Sequence, residues 1–313
     1  MTRLRAAVLG CGHFGRFHAQ KYAGNEGADL VVVVDRRPDA ADALAAETGA
    51  EALEDISALA GRIDIASVAV PTHAHAEVAG QLLEMGIDVL VEKPITATAD
   101  EARRLIELAK RRGRVLQVGH LERFNPAIVA LADIISRPLF IESHRLAAFQ
   151  PRGTDVDVIL DLMIHDIDLI QHLVDSPLKS VDAVGVPVLS RRDDIANARL
   201  HFESGCVVNV TASRVSLKSE RKMRLFQRDA YISIDFKARQ ATIARRGEGE
   251  MFPGVPDVRL EQRQFEDHDA LALEIEAFLA AVRGERAVAV SGEEGLRALT
   301  TAEAITAAML RPA

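Results

Sequence analysis

Through the first 120 positions, short runs of branched apolar residues alternate with longer stretches whose apolar positions recur at helical spacing. The short runs lie at 4–9, 29–34, 63–70, 88–91 and 114–119, and helices are predicted after Gly15 and at 38–48, 74–85 and 99–112. Strands this apolar, alternating with helices, predict a parallel sheet covered on both faces. Right-handed crossovers then fix most of the topology, and ligands of such a sheet sit beyond the carboxyl ends of its strands. From residue 121 the pattern changes. A connecting helix is predicted at 124–135, a strand at 138–147 and an apolar helix at 159–174. Period-two alternation follows at 181–188, 196–202, 207–213, 222–228 and 231–236, and 239–246 and 257–265 are candidates for one or two more strands. These read as consecutive antiparallel strands. Helices at 268–282 and 292–308 close the chain, the second with Ser291 as N-cap and Glu294 completing a capping box. The expected class is α/β at 1–120, followed by an α+β domain at 121–313 with a large, mostly antiparallel open sheet; the last helix is free to pack back on the first domain.

Composition narrows the function classes. A length of 313 residues favours two domains. No apolar span is long enough for a bilayer and no charged-then-apolar leader is present, so neither membrane insertion nor a signal peptide is expected. The net charge is −8 and basic residues are interspersed with acids, which argues against a nucleic-acid partner. Two cysteines, Cys11 and Cys206, are too few for a disulfide scaffold or a structural zinc site, and a cytoplasmic setting is expected. Cys11 reads as a small residue tolerated in a turn rather than as a nucleophile.

The first candidate site follows the first strand. Gly10, Gly12 and Gly15, with Cys11, His13 and Phe14 between them, make G-x-G-x-x-G at a strand–turn–helix junction. Gly10 makes the turn, Gly12 lets the backbone approach a pyrophosphate and Gly15 lets the helix pack closely, with free amides and the positive helix end facing the anion. A solvated turn closing an ordinary αβ unit is the alternative. Asp35, about twenty residues past the last glycine, ends the second strand where a carboxylate accepts from a ribose 2′-hydroxyl. This predicts a Rossmann dinucleotide-binding domain with NAD as cofactor. Arg36 and Arg37 can receive a 2′-phosphate if the carboxylate turns away, so NADP stays open.

The other strand ends hold Thr72 and His75, then Glu92-Lys93-Pro94, then Gly119-His120. Lys93 follows an apolar strand directly, and Pro94 holds it out of the helical region. An ammonium there can donate to a substrate oxygen; a solvated lysine paired with Glu92 is the plain alternative. Thr72 can donate to cofactor oxygens and His75 can cap or pack beside the nicotinamide ribose, unless it is only a satisfied histidine at a helix start. In the helix at 159–174, Asp161, His165, Asp168 and His172 fall on one face at spacings of four, three and four. One reading makes His165 a proton acceptor beside Asp161. A metal reading fits no standard zinc spacing, and a structural reading uses the aspartates as caps. Arg152 and Arg214 belong to a basic inventory suited to a phosphate-bearing substrate, or simply to a scatter of solvated arginines.

Together, the glycine triplet, Glu92-Lys93-Pro94, and Asp161 four residues before His165 resemble the glucose–fructose oxidoreductase, inositol dehydrogenase and rhizopine-catabolism (Gfo/Idh/MocA) family of nicotinamide-dependent sugar oxidoreductases. The resemblance covers essentially the whole chain. It implies hydride transfer from a secondary sugar hydroxyl, with Lys93 holding the hydroxyl, Asp161 and His165 on the active-site helix, and His165 as acid/base. It places Gly10, Gly12 and Gly15 at the pyrophosphate and Thr72 and His75 in the element bordering the nicotinamide. The cofactor site is further expected to take in His13, Phe14, Asp35, Arg36, Glu92 and Lys93, and the substrate side His120, Arg123, Arg152 and Arg214. No metal is implied, and the open sheet is implied to join copies into a homodimer or homotetramer. The stretches 118–127 and 155–170 resemble the sugar-nucleotide branch, in particular its UDP-N-acetylglucosamine 3-dehydrogenases, some of which feed lipid A biosynthesis. The Asp155–Ile159 run replaces the glycine-rich run of many members. A free-sugar or inositol dehydrogenase, reduction of a non-sugar carbonyl or linear tetrapyrrole, and a dinucleotide-binding sensor without turnover remain as alternatives.

Overall fold

Six strands and four helices alternate along the amino-terminal part of the chain: β1 (Leu4–Leu9), α1 (His13–Ala23), β2 (Ala28–Val34), α2 (Pro38–Thr48), β3 (Glu51–Leu53), β4 (Ile65–Val68), α3 (His75–Glu84), β5 (Asp88–Glu92), α4 (Ala99–Arg112) and β6 (Leu116–Gly119). The computed structural model describes residues 2–150 and 157–309. The strands form one sheet in the order β3-β2-β1-β4-β5-β6, with every neighbouring pair parallel. The direction of winding reverses between β1 and β4, so their carboxyl ends open the crevice where ligands bind in such sheets. Two departures from the sequence reading are local. β3 is three residues long and only partly apolar, and the helix predicted from 74 begins with a 3-10 turn at Thr72–Ala74.

The later part carries α5 (Pro126–Leu131), β7 (Phe140–Leu146), α6 (Ile164–Val174), β8 (Leu178–Val186), β9 (Ile195–Phe202), β10 (Val207–Ser213), β11 (Glu220–Phe226), β12 (Ala230–Asp235), β13 (Gln240–Phe252), β14 (Val255–Gln264), α7 (Ala270–Val282) and α8 (Gly292–Met309). The connecting helix is shorter than expected, starting at Pro126 behind the Asn125 cap. The second sheet has the order β14-β13-β12-β11-β7-β10-β9-β8. Its strands are therefore not all consecutive neighbours, as the alternation suggested. β7 lies between β10 and β11, parallel to the first and antiparallel to the second. Period-two alternation shows which face a side chain takes, not which strand lies alongside. The inward side chains of β7 give the reason for its central place. Ser143 donates to Asp166 Oδ1 (2.9 Å) and Arg145 Nε to Asp166 Oδ2 (2.5 Å), so this strand holds the polar partners of α6.

The first compact unit takes in the chain up to Leu121 and the returning segment Asp269–Leu299; the second takes in Glu122–His268 and the chain from Thr300. Where the sequence reading divides the chain once, at 120, the segment 269–299 thus packs with the first part. Ile275, Phe278 and Leu279 of α7 join Ala6 and Val8 of β1, Ala19 and Tyr22 of α1 and Val33 of β2 in one buried cluster. Each large apolar side chain so buried contributes about 2 kcal/mol. At the head of α8 the capping box is complete: Glu294 N–H donates to Ser291 Oγ (3.3 Å) and Ser291 N–H to Glu294 Oε2 (2.8 Å). Among the described residues no helix is long and apolar enough to cross a membrane.

Between β1 and α1 the backbone approaches itself closely. Gly10 has φ +95°, and a β-carbon there would stand 2.5 Å from the Ala69 carbonyl oxygen; one on Gly15 would stand 1.7 Å from the Gly10 carbonyl oxygen. At Gly12 a β-carbon would meet nothing within 4 Å. Gly15→Ala is therefore expected to destabilise the protein by about 3 kcal/mol, as overpacking against backbone does, and Gly12→Ala by less than about 1 kcal/mol. Denaturant unfolding of the two variants checks this, and equal losses would contradict it.

Candidate active site

Beyond the carboxyl ends of β1 and β2 lies a cleft of about 780 Å³ lined by Gly10, Gly12, His13, Phe14, Asp35 and Arg36, among others. α1 begins here with Gly12 as N-cap, with no capping side chain and no acid in its first turn. Its first amides and the positive end of the helix are thus available to an anion. The open space above Gly12 and the size of the cleft fit a dinucleotide. Asp35 stands at the edge. Its Oδ2 accepts from the Cys11 amide (2.8 Å) and its Oδ1 from the Arg37 amide (2.9 Å). Burial pushes this carboxyl up, but the Arg37 and Cys11 amides and the Arg37 side chain outweigh it and hold it below its usual range. Burial and Asp35 push the Cys11 thiol up to about 11, which suits a packed side chain rather than a nucleophile.

At the end of β5, Lys93 is half-buried and its bond to Pro94 is cis. His75 is 1% exposed, with Nδ1 2.8 Å from the Pro94 carbonyl oxygen and Nε2 2.9 Å from the Val70 carbonyl oxygen. Burial lowers its pKa, against the pull of those carbonyls. Both ring nitrogens face the main chain, so His75 ties two strand-end loops together rather than presenting a nitrogen to a ribose. Glu92, expected at the cofactor, likewise turns inward: its Oε1 is 2.9 Å from His18 Nε2 and its Oε2 accepts from the Lys93 amide (3.2 Å). Thr72 is half-buried in the 3-10 turn. Gly15 is buried beneath the turn, and His120 is 1% exposed, so its ring does not line an open surface.

The second unit carries Asp161 and His165. The predicted helix over 159–174 forms, but its first turn, Ile159–Met163, is a π-helix, closed by the Ile164 N–H donating to the Ile159 carbonyl. The wider turn shifts the phase of the α-helical turns after it, and such turns are common at functional sites. Asp161 and His165 are both half-buried, whereas Asp168 is buried and His172 exposed, so the four do not share one environment. Asp168 is taken by Arg123, which donates from Nε (2.7 Å) and a terminal nitrogen (2.9 Å). In that bidentate pair the side chains are 5% and 1% exposed, so the Arg123 fork is engaged by the Asp168 carboxylate. Arg214 is likewise engaged by acids. It is 3% exposed, donates from Nε to Asp194 (2.9 Å) and from Nη2 to Ser190 Oγ (3.1 Å), and holds Nη1 4.0 Å from Asp161 Oδ2. Asp194 also accepts from the amides of Val188, Leu189 and Ser190. Burial pushes the Asp194 carboxyl up; the Ser190 and Leu189 donors and Arg214 prevail and hold it far below the carboxylate range. Arg152 lies outside the described residues.

Several residues in these arrangements escaped the sequence reading. Asp194 and Ser190 sit in an unremarked polar stretch after β8. Ser67 and Glu274 are buried polar residues on otherwise apolar elements, and that contrast was the available signal, whereas His18 is buried on a helix of mixed character.

Residues 4–120 match the model of an oxidoreductase family with an NAD-binding Rossmann fold, and residues 150–311 match its C-terminal alpha/beta domain. The chain is 41% identical over 303 residues to a UDP-N-acetylglucosamine 3-dehydrogenase of Acidithiobacillus ferrooxidans, covering 96% of each chain. A solved structure of UDP-N-acetylglucosamine 3-dehydrogenase GnnA from that organism superposes with a TM-score of 0.92 at 38% identity, over 99% of this chain and 100% of that one. An inositol 2-dehydrogenase of Rhizobium meliloti is 28% identical over 321 residues, covering 96% of this chain and 95% of its own. Two family domains in order, a nucleotide-ready glycine turn and full-length likeness agree: the chain belongs to the Gfo/Idh/MocA family of NAD(P)-dependent oxidoreductases.

Proposed function

We propose that the chain oxidises the C3 hydroxyl of UDP-N-acetylglucosamine, or of a closely similar sugar nucleotide, with NAD as acceptor. The observation that carries this reading is the likeness to the Acidithiobacillus ferrooxidans enzyme over nearly all of both chains. Bound nicotinamide supplies the acceptor for the hydride lost from carbon. His165 takes the hydroxyl proton, since an imidazole exchanges protons near neutral pH. Lys93 donates to the same oxygen and stabilises the negative charge that develops on it. Asp161 orients His165 or holds a neighbouring hydroxyl. Arg214, with Nη1 4.0 Å from Asp161 Oδ2 and its Nε on Asp194, keeps that carboxylate in place.

Asp35 supports NAD over NADP. Its carboxylate is fixed at the cleft, and Glu54, Asp55 and Glu77 line the same cleft, so a 2′-phosphate meets acids as well as Arg36 and Arg37. The outer face of the second sheet supports a homodimer or homotetramer. Half-buried Phe140, Phe226 and Tyr231 stack there, with successive ring centroids 5.6 and 5.0 Å apart.

Nicotinamide absorbance with a panel of UDP-sugars, inositols and free sugars tests the substrate. UDP-N-acetylglucosamine is expected to be turned over best, and preference for an inositol would move the chain to the polyol side of the family. Lys93→Met and His165→Ala are each expected to lower kcat by about 100-fold or more, and wild-type turnover in either removes that residue from the mechanism. With the two cofactors compared, kcat/KM for NAD is expected to exceed that for NADP by about tenfold or more, and Asp35→Ser to narrow the gap; equal efficiency in the wild type overturns the preference. Light scattering is expected to give at least twice the chain mass, and a monomer at micromolar concentration counts against the sheet interface.

A further inference from the structure

Beneath the Lys93 turn runs a buried chain of four polar side chains drawn from three elements of the first unit. Tyr22 OH is 2.9 Å from Ser67 Oγ, Ser67 Oγ is 3.1 Å from His18 Nδ1, and His18 Nε2 is 2.9 Å from Glu92 Oε1. Tyr22, His18 and Ser67 are at most 1% exposed. One set of proton positions satisfies every link: Tyr22 donates to Ser67, Ser67 to Nδ1, and Nε2–H to Glu92, whose other oxygen accepts from the Lys93 amide (3.2 Å). All donors then point toward one carboxylate, which lies immediately before the lysine. Gly119 of β6 leaves room for it, since a β-carbon there would stand 3.2 Å from Glu92 Cδ and Oε1.

We propose that Tyr22, Ser67, His18 and Glu92 act as positioning residues for Lys93, fixing a carboxylate under the turn so that the lysine stays charged and able to donate at the pH of turnover. This rests on the role given to Lys93 above. The surroundings support it. Burial pushes the Glu92 carboxyl up, but the His18 hydrogen bond, the charge of Lys93 and the Lys93 amide hold it below its usual range. The other groups facing Glu92 are His75 of α3, which feels its charge, and Glu274 of α7, with a carboxylate oxygen within 4.8 Å of the His18 and Glu92 ligand atoms. Glu274 adds a second acid close to the His18–Glu92 pair. The sign is fixed by charge: Glu92 and Lys93 interact as opposite charges, which favours the protonated lysine, so losing the anion lowers the lysine pKa.

The test follows Lys93 itself. Reductive methylation with carbon-13 formaldehyde, with the Lys93 resonance identified by its absence in Lys93→Arg, gives its titration in the whole protein without any turnover. In Glu92→Gln the midpoint is expected to fall by about one pH unit or more. In His18→Leu it is expected to fall in the same direction, while His18→Gln, whose amide nitrogen can stand in for Nε2, stays near the wild type. The basic limb of kcat/KM for UDP-N-acetylglucosamine should move to lower pH in step. A Lys93 midpoint unchanged in both Glu92→Gln and His18→Leu overturns the proposal. If Glu92→Gln does not fold, the two His18 variants decide it alone. Wild-type turnover in Lys93→Met, with the titration shifts still present, would instead strike only the mechanism assigned to the lysine.

Discussion

The contact between the start of α1 and the end of β1 governs the rest of the first unit. With no side chain at Gly15, the helix comes down onto the Gly10 carbonyl, and with none at Gly10 the turn clears the Ala69 carbonyl just past β4. That seating aims the uncapped amides of α1 into the cleft and brings His18, one turn further along, over Ser67 and Glu92. A helix set one methyl group further out would loosen the anion site and the buried polar chain together. Cofactor binding and the arrangement beneath Lys93 are thus two results of one steric allowance.

In the second unit the comparable constraint is the charge on one helix. α6 and its π turn carry Asp161, Asp166 and Asp168, and an arginine meets each of them: Arg214, Arg145 and Arg123. Buried carboxylates are costly unless paired, and these pairs tie the helix to β7, to the turn that holds Arg123 and to Arg214 just past β10. Asp161 and His165 are half-buried, whereas Asp166 and Asp168 are buried. The two buried pairs fix the helix, and the half-buried Asp161 and His165 lie on the same element.

Much of this was legible in the chain because it rests on local signals. α2, α4 and β10 fall on their expected bounds, since Pro38, the Thr98–Glu101 capping box and strict alternation mark them sharply. The placement of β7 and the π turn were not legible, because both depend on partners far away in sequence. The same limit explains the arginines. Arg123 and Arg214 look like ligands for phosphate until Asp168 and Asp194 are found against them, 45 and 20 positions away. His18 was hidden for the opposite reason: one histidine in an amphipathic helix carries no mark of the Glu92 it meets 74 positions later.

The return of α7 to the first unit has a consequence for synthesis. Ile275, Phe278 and Leu279 complete the cluster around β1 and α1, yet they are made only after the whole eight-stranded sheet. While the chain emerges in order, the nucleotide-binding half waits with Tyr22 and its apolar neighbours uncovered until the inserted half has been translated. The domain begun first is therefore completed only after the second sheet has been made, and a lesion that slows that sheet also prolongs exposure of the first core.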